Sequence, residues 1–275
     1  MTAHYASGGA KITIFAPMSK VYTTEITSEE IVSDNPIHQR LFKAYVAAEP
    51  HIRGQVLEVG CGEGRGIPVI LPFASSYTAI DKIESALVEL RKKYPAGKFI
   101  SMNIPPFQGL ADNAYDTVLS FQVIEHIDDD FRYLQEIYRV LKPGGVALIT
   151  TPNRKLSLTR NPWHVREYLA DELSALAARV FPSVKMRGIT GNAKVMAYYE
   201  ENKRSVRRFT RFDVFDLQHR LPASILRVPY ELLNRWNRNK LQSSDNKLVT
   251  GIHHSDYIVT DNGADALDLF LIVQK

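Results

Sequence analysis

One stretch constrains this 275-residue chain more than any other: Val56-Leu57-Glu58-Val59-Gly60-Cys61-Gly62-Glu63-Gly64. A short apolar run carrying one acid gives way to three glycines spaced by two. Val56, Leu57 and Val59 suit a strand buried on both faces. The glycines let the backbone turn tightly and let a ligand approach the main chain. A second apolar run, Tyr77-Thr78-Ala79-Ile80, ends at Asp81, 21 positions beyond Gly60. In a doubly wound sheet, a carboxylate at about that distance meets the ribose hydroxyls of a bound nucleotide. The chain therefore reads as strand, glycine turn, helix and second strand, with a nucleotide-like ligand at the turn.

The rest of the sequence repeats this alternation. Asn35 and Pro36 open a helix with Ile37, Leu41, Ala44, Tyr45 and Ala48 on one face. Ile83, Ala86, Leu87, Leu90 and Tyr94 form a second helical stripe, stopped by Pro95-Ala96-Gly97. Lys98 to Met102 reads as the third strand and Asp116 to Ser120 as the fourth. A helix capped near Asp128 to Asp130 buries Phe131, Leu134, Ile137, Tyr138 and Leu141. Val146 to Thr150 is the fifth strand. A helix around Tyr168 to Val180, a strand around Val184 to Gly188 and a final strand over Leu267 to Val273 complete the pattern. Lys11 to Phe15 has the look of a further short strand. The expected class is α/β, a Rossmann-like, seven-stranded, mostly parallel sheet with helices on both faces.

Residues 191–255 break the rhythm. From Lys203 to Lys240 there are ten Lys or Arg and three acids, interleaved with Phe209, Leu221, Ile225, Leu226, Leu233 and Trp236. So many large apolar groups predict an inserted helical subdomain. The division expected is a core of 1–190 and 256–275, with an N-terminal helical extension, and a basic lid over 191–255. A net charge of +4 is weak support for nucleic-acid binding. Cys61 is the sole cysteine, so no intrachain disulfide forms, as suits a reducing cytoplasm. No apolar run reaches the roughly 20 residues of a membrane span, and Met1 to Ala10 lacks the pattern of a secretory leader.

A nicotinamide-binding turn wants G-x-G-x-x-G, and Arg65 holds its third glycine position. The spacing G-x-G-x-G, preceded by Glu58 and followed by Asp81, resembles the class I S-adenosylmethionine (SAM) methyltransferases. That resemblance implies that the last strand runs antiparallel. It also implies that the turn packs against the methionine part of SAM and that Asp81 binds the ribose. Leu141-Lys142-Pro143-Gly144-Gly145 resembles the family's turn before its fifth strand. Asn103 follows the third strand, where many relatives place an acid on the adenine amino group; an Asn carbonyl can accept the same bond. Ser120-Phe121-Gln122-Val123-Ile124-Glu125-His126 resembles the stretch after the fourth strand in methyltransferases of the ubiquinone-biosynthesis type. Some of those carry E-x-x-E-H, linked to a divalent metal. Here Gln122 replaces the first acid, which weakens a hard-cation site, so no metal is expected.

The cofactor-binding residues implied are thus Glu58, Gly60, Cys61, Gly62, Gly64, Asp81, Asn103, Phe121 and Gln122. S-adenosylhomocysteine is the product. Asn161-Pro162-Trp163-His164-Val165-Arg166-Glu167-Tyr168 follows the fifth strand, on the side where ligands of open α/β sheets bind. His164 and His126 are the candidate bases, with Glu167 orienting His164 if the loop turns helically. His253 and His254, closing the insert, are further groups within reach of a pocket. The expected function is methyl transfer to a small-molecule acceptor, most naturally at oxygen. Two alternatives stand beside it: an anionic or membrane-associated acceptor, such as a lipid-linked or glycan intermediate, and a non-catalytic SAM- or nucleic-acid-binding protein. The Asn/Asp-Pro-Pro-aromatic motif of relatives that methylate nucleic-acid or protein nitrogens is absent after the fourth strand, so no nucleic-acid partner is expected.

Overall fold

The computed structural model describes residues 31–211 and 217–275. The strand expected at Lys11 to Phe15 lies outside them. Nine α-helices and eight strands occur among the described residues. Helix α1 (Asn35–Ala48) leads into β1 (Gly54–Val59), the glycine turn, a single turn of helix α2 (Ile67–Ile70) and β2 (Ala74–Asp81). Pro68 sits in the first turn of α2, where its missing N–H costs nothing. Then come α3 (Glu84–Lys93), β3 (Lys98–Ser101), β4 (Tyr115–Phe121), α4 (Asp130–Val140), β5 (Leu141–Pro152), α5 (Ala170–Ala178) and β6 (Ser183–Gly191). Asp129 caps α4 by accepting from the Arg132 N–H at 3.0 Å.

The sheet has the order β3-β2-β1-β4-β5-β8-β6-β7. β1 pairs in parallel with β2 and β4, β2 with β3, and β4 with β5. The final strand β8 (Asp268–Gln274) is antiparallel to both β5 and β6, as the family resemblance implied. The count departs from seven. Tyr257–Thr260 forms a further edge strand, β7, antiparallel to β6. It is four residues long and pairs on one side only, too short for an alternating pattern to show.

Each central strand sends alternate side chains into two apolar layers. Val56, Leu148 and Phe270 join Tyr45 of α1, Ile67 of α2 and Leu87 of α3 on one face. Leu57, Ile149 and Leu271 join Leu134 and Ile137 of α4 and Leu173 of α5 on the other. Helices therefore cover both faces. Between β6 and β7 lie α6 (Ala193–Thr210), α7 (Leu217–Arg220), α8 (Ala223–Ser244) and α9 (Asn246–Gly251). Val195 of α6, Leu241 of α8 and Val249 of α9 extend the first layer. No helix among the described residues is long and apolar enough to cross a membrane.

Candidate functional site

The three glycines of the turn all have positive φ, at 76° for Gly60, 53° for Gly62 and 78° for Gly64. L-residues rarely tolerate this region. Their surroundings differ. A Cβ on Gly60 would lie 2.4 Å from Val123 Cγ2, and one on Gly64 would lie 2.5 Å from Leu90 and 2.7 Å from Ile67. A Cβ on Gly62 would meet nothing within 4 Å. Gly60 and Gly64 thus admit neighbouring side chains, while Gly62 leaves its main chain open to a ligand. Asp81, at the end of β2, accepts from the Gly62 N–H (2.8 Å) and the Ile83 N–H (2.9 Å), one to each oxygen. Each oxygen keeps a lone pair for a ligand hydroxyl. Asn103 is exposed just beyond β3. This combination of an open main chain, an adjacent carboxylate and a free amide fits an adenosyl group.

Glu58, Cys61 and Phe121 lie beneath the turn. The buried Glu58 carboxylate accepts from the Tyr45 hydroxyl at 2.6 Å and from the Tyr77 hydroxyl. Burial raises its pKa to about 7, with the two hydroxyls opposing that rise. Burial likewise pushes the Cys61 thiol well up, which suits an inert filler. Phe121 packs edge-on against Tyr45, ring centres 4.8 Å apart. One requirement escaped the sequence reading: a Cβ on Gly66 would fall 1.9 Å from the Tyr45 ring. Its only signal was one more glycine after the turn.

A cleft of about 260 Å³ opens beyond the carboxyl ends of β4 and β5 and is lined by Gln122, Glu125, His126, His164 and Glu167, among others. Gln122 has φ 59°, held by its N–H to the Thr150 carbonyl (2.9 Å). The Glu125 carboxylate is buried and accepts from the Thr151 hydroxyl at 3.0 Å. Its carbonyl accepts from the Val165 N–H at 2.7 Å, tying the two loops together. His126 Nδ1 donates to the Trp163 carbonyl at 2.8 Å, which leaves Nε2 with its lone pair. His164 Nδ1 donates to Glu167 Oε1 at 2.6 Å, and Nε2 accepts from the Asn161 amide at 2.8 Å. Both side chains of that pair are 13% exposed. The two imidazoles meet edge-on at 4.9 Å. His164 and Glu167 thus touch, although the loop between them bends and makes no helical turn. Glu125, His126 and His164 also offer one donor atom each within 4.8 Å of one another. His253 and His254 do not line this cleft; His254 packs edge-on against Phe42.

Two arginines line the opposite wall, and a buried carboxylate neutralises each. Arg40 pairs with Asp268 at 3.1 Å, and Arg238 with Asp34 at 3.0 Å. Burial pushes Asp268 up to about 6. The rest of the lining is mixed: polar groups such as Tyr198, Asn202 and Asn234 alternate with apolar ones such as Ile37, Leu41 and Val206. Asn237 donates to Asn202 at 2.7 Å, and its own carbonyl is buried without a partner.

Residues 57–149 match the family model described as a methyltransferase domain. With the sheet order and the glycine turn, that places the domain among the class I SAM-dependent methyltransferases, a family whose cofactor is SAM. The chain is 36% identical over 175 residues to a Mycobacterium tuberculosis protein named "Probable S-adenosylmethionine-dependent methyltransferase", covering 60% of this chain and 64% of that relative. It is 33% identical over 107 residues to a ubiquinone biosynthesis O-methyltransferase of Rickettsia typhi, covering 36% of this chain and 42% of that one. In three dimensions it resembles a SAM-dependent methyltransferase from Thermotoga maritima, with TM-score 0.53 and 16% identity over 89% of this chain and 91% of that one. It also resembles the [4+2]-cyclase SpnF, with TM-score 0.50 and 17% identity over 86% and 81%. At such identities only the fold is shared, and one fold hosts several reactions.

Proposed function

We propose that the protein transfers the SAM methyl group to a hydroxyl of a small-molecule acceptor held in the cleft, under a lid formed by residues 191–255. The observation that carries this reading is the His164–Glu167 pair, half-buried beside His126 at the carboxyl ends of β4 and β5. The turn over Gly60, Gly62 and Gly64, with Glu58, Cys61 and Phe121 shaping it from below, would hold the cofactor. Asp81 would take the ribose hydroxyls, Asn103 the adenine, and Gln122 would border the sulfonium side. When bound, SAM supplies the electrophilic methyl group. The protein's task is then to align the acceptor oxygen, exclude water and accept a proton.

In this reading the acceptor hydroxyl displaces the Asn161 amide from His164 Nε2. Its proton passes to that nitrogen as the oxygen gains the methyl group, and S-adenosylhomocysteine is released. Glu167 keeps the proton of the neutral ring on Nδ1 and stabilises the imidazolium that forms. His126, backed by a carbonyl and not a carboxylate, is the weaker candidate. The amides of Asn202, Asn234 and Asn237 suit a hydroxyl-bearing acceptor, because amides both donate and accept, and Ile37, Leu41 and Val206 suit an apolar part of the same molecule. No step in this reading runs through a metal: the sulfonium itself activates the methyl group, and Gln122 stands where a second carboxylate would add to the donors of Glu125, His126 and His164. The test is a panel of hydroxyl, amine and carbon acceptors scored for S-adenosylhomocysteine release, with and without EDTA. Turnover of a hydroxyl acceptor that persists in EDTA supports the reading. Amine-only turnover, or loss in EDTA restored by magnesium, overturns it.

A further inference from the structure

Helix α8 has two faces of opposite character. Tyr230, Asn234, Asn237 and Arg238 turn toward the cleft, and Leu241 is buried. Ile225, Val228, Leu232 and Trp236 recur at spacings of three and four and so share the opposite face, with Leu233 beside them. All five are between 49% and 68% exposed. A stripe of this kind on a water-facing helix marks an interaction surface.

Charge identifies the occupant. From Arg220 to Ser244 the chain has five cations and a single acid, Glu231. Arg235 and Arg238 turn inward to Asp34. Arg227 stacks its guanidinium 4.1 Å from the centre of the Trp163 ring, on the cleft side. Arg220 and Lys240 remain exposed, with Lys240 lying 5.1 Å from the centre of the Trp236 ring. A second copy docked stripe to stripe would bring like charges together. An anionic bilayer surface satisfies both features: apolar side chains enter the headgroup boundary, the cations meet lipid phosphates, and a Trp sits at the level it favours. We infer that the outer face of α8 docks the protein peripherally on an anionic lipid surface. The inner face of the same helix lines the cleft, so docking would bring the cleft wall to the headgroup region.

Co-sedimentation of the full chain with vesicles of phosphatidylcholine alone, or with about one quarter phosphatidylglycerol, tests this at roughly 0.05 and 0.15 M salt. Expected is pelleting with the anionic vesicles, weaker at the higher salt, and little with the neutral ones. Leu232→Asp with Trp236→Asp should reduce binding at least tenfold, and Arg220→Glu with Lys240→Glu should abolish the preference for anionic lipid. Unchanged thermal stabilisation by S-adenosylhomocysteine confirms that each variant is folded. Failure to pellet at low salt, equal binding to neutral vesicles, or wild-type binding by the folded Asp variant overturns the inference. So does a wild-type dimer in solution that the Asp variant converts to monomer.

Discussion

The His164–Glu167 contact turns a sequence spacing of three into a chemical claim. If Nε2 takes the acceptor proton, His164→Ala should lower kcat at least tenfold, since a positioned base contributes about 10²–10⁴. Cofactor affinity should stay within about twofold, because the pair's hydrogen bonds run to each other, to Asn161 and to Ser157. Glu167→Gln keeps the shape and removes the charge, so it should lower kcat with little change in KM. Steady-state kinetics and calorimetry check both, and wild-type turnover by His164→Ala would leave positioning as the whole of catalysis. Glu58 carries a different prediction. Its folded pKa, about 7, lies above the ordinary carboxyl value of 4.5. Below about pH 4.5 the group is protonated in both states. As pH rises toward 7 only the unfolded chain releases its proton, so folded stability falls by on the order of 3 kcal/mol and then levels off. Glu58→Gln should remove that slope, while Asp268, raised in the same sense, remains in both proteins. Urea unfolding at pH 5 and pH 8 gives the difference; parallel curves for the two proteins would refute it. The sequence showed Glu58 as part of the motif but not its partners, because Tyr45 and Tyr77 lie 13 and 19 positions away and only the packing of α1 and β2 brings them in.

At the scale of elements, β1, the turn and β2 were legible because buried parallel strands read as continuous apolar runs and glycines punctuate them. The sequence also marked α4 and β8. It did not reveal β7, nor how the insert is fastened. Asp34, 1% exposed at the start of α1, receives Arg235 at 2.9 Å and Arg238 at 3.0 Å from α8. Asn35 donates to the carbonyls of Val249 and Ile252 at the end of α9. These partners lie more than 200 residues apart in sequence, beyond any local pattern. Asp34→Ala would leave two inward-facing guanidinium groups without their counterion, a change that costs about 3–5 kcal/mol when such a pair is buried. Arg235 is 36% exposed, so solvent lowers the expected loss to about 2 kcal/mol. The urea midpoint should fall accordingly, and limited proteolysis should cut first within 217–251. Unchanged stability would show that the apolar contacts of Val195, Leu241 and Val249 hold the insert without the ionic clamp.

At the scale of the molecule, the glycine turn connects elements from most of the chain. Gly60 abuts Val123 beyond β4, Gly64 abuts Leu90 of α3, and Gly66 abuts Tyr45 of α1. Tyr45 in turn touches Phe121, and Phe121 touches Phe270 of β8. A ligand that binds this turn only in its folded form should therefore stabilise the whole cooperative unit and not one loop. At a concentration about 100 times its Kd, S-adenosylhomocysteine should add about 2.7 kcal/mol. For a chain of this size that corresponds to a Tm rise of roughly 5–10 °C. If Asp81 holds the ribose as proposed, Asp81→Ala removes charge-assisted bonds and with them about 1.5–3 kcal/mol of binding, a loss of roughly 10- to 150-fold in affinity. The same ligand concentration should then raise Tm by only a few degrees or less. NADH should give no rise with either protein, because Arg65 stands where a nicotinamide-binding turn needs its third glycine. A thermal scan of both proteins with each ligand decides the matter: stabilisation by NADH and not by S-adenosylhomocysteine would reassign the turn to a dinucleotide.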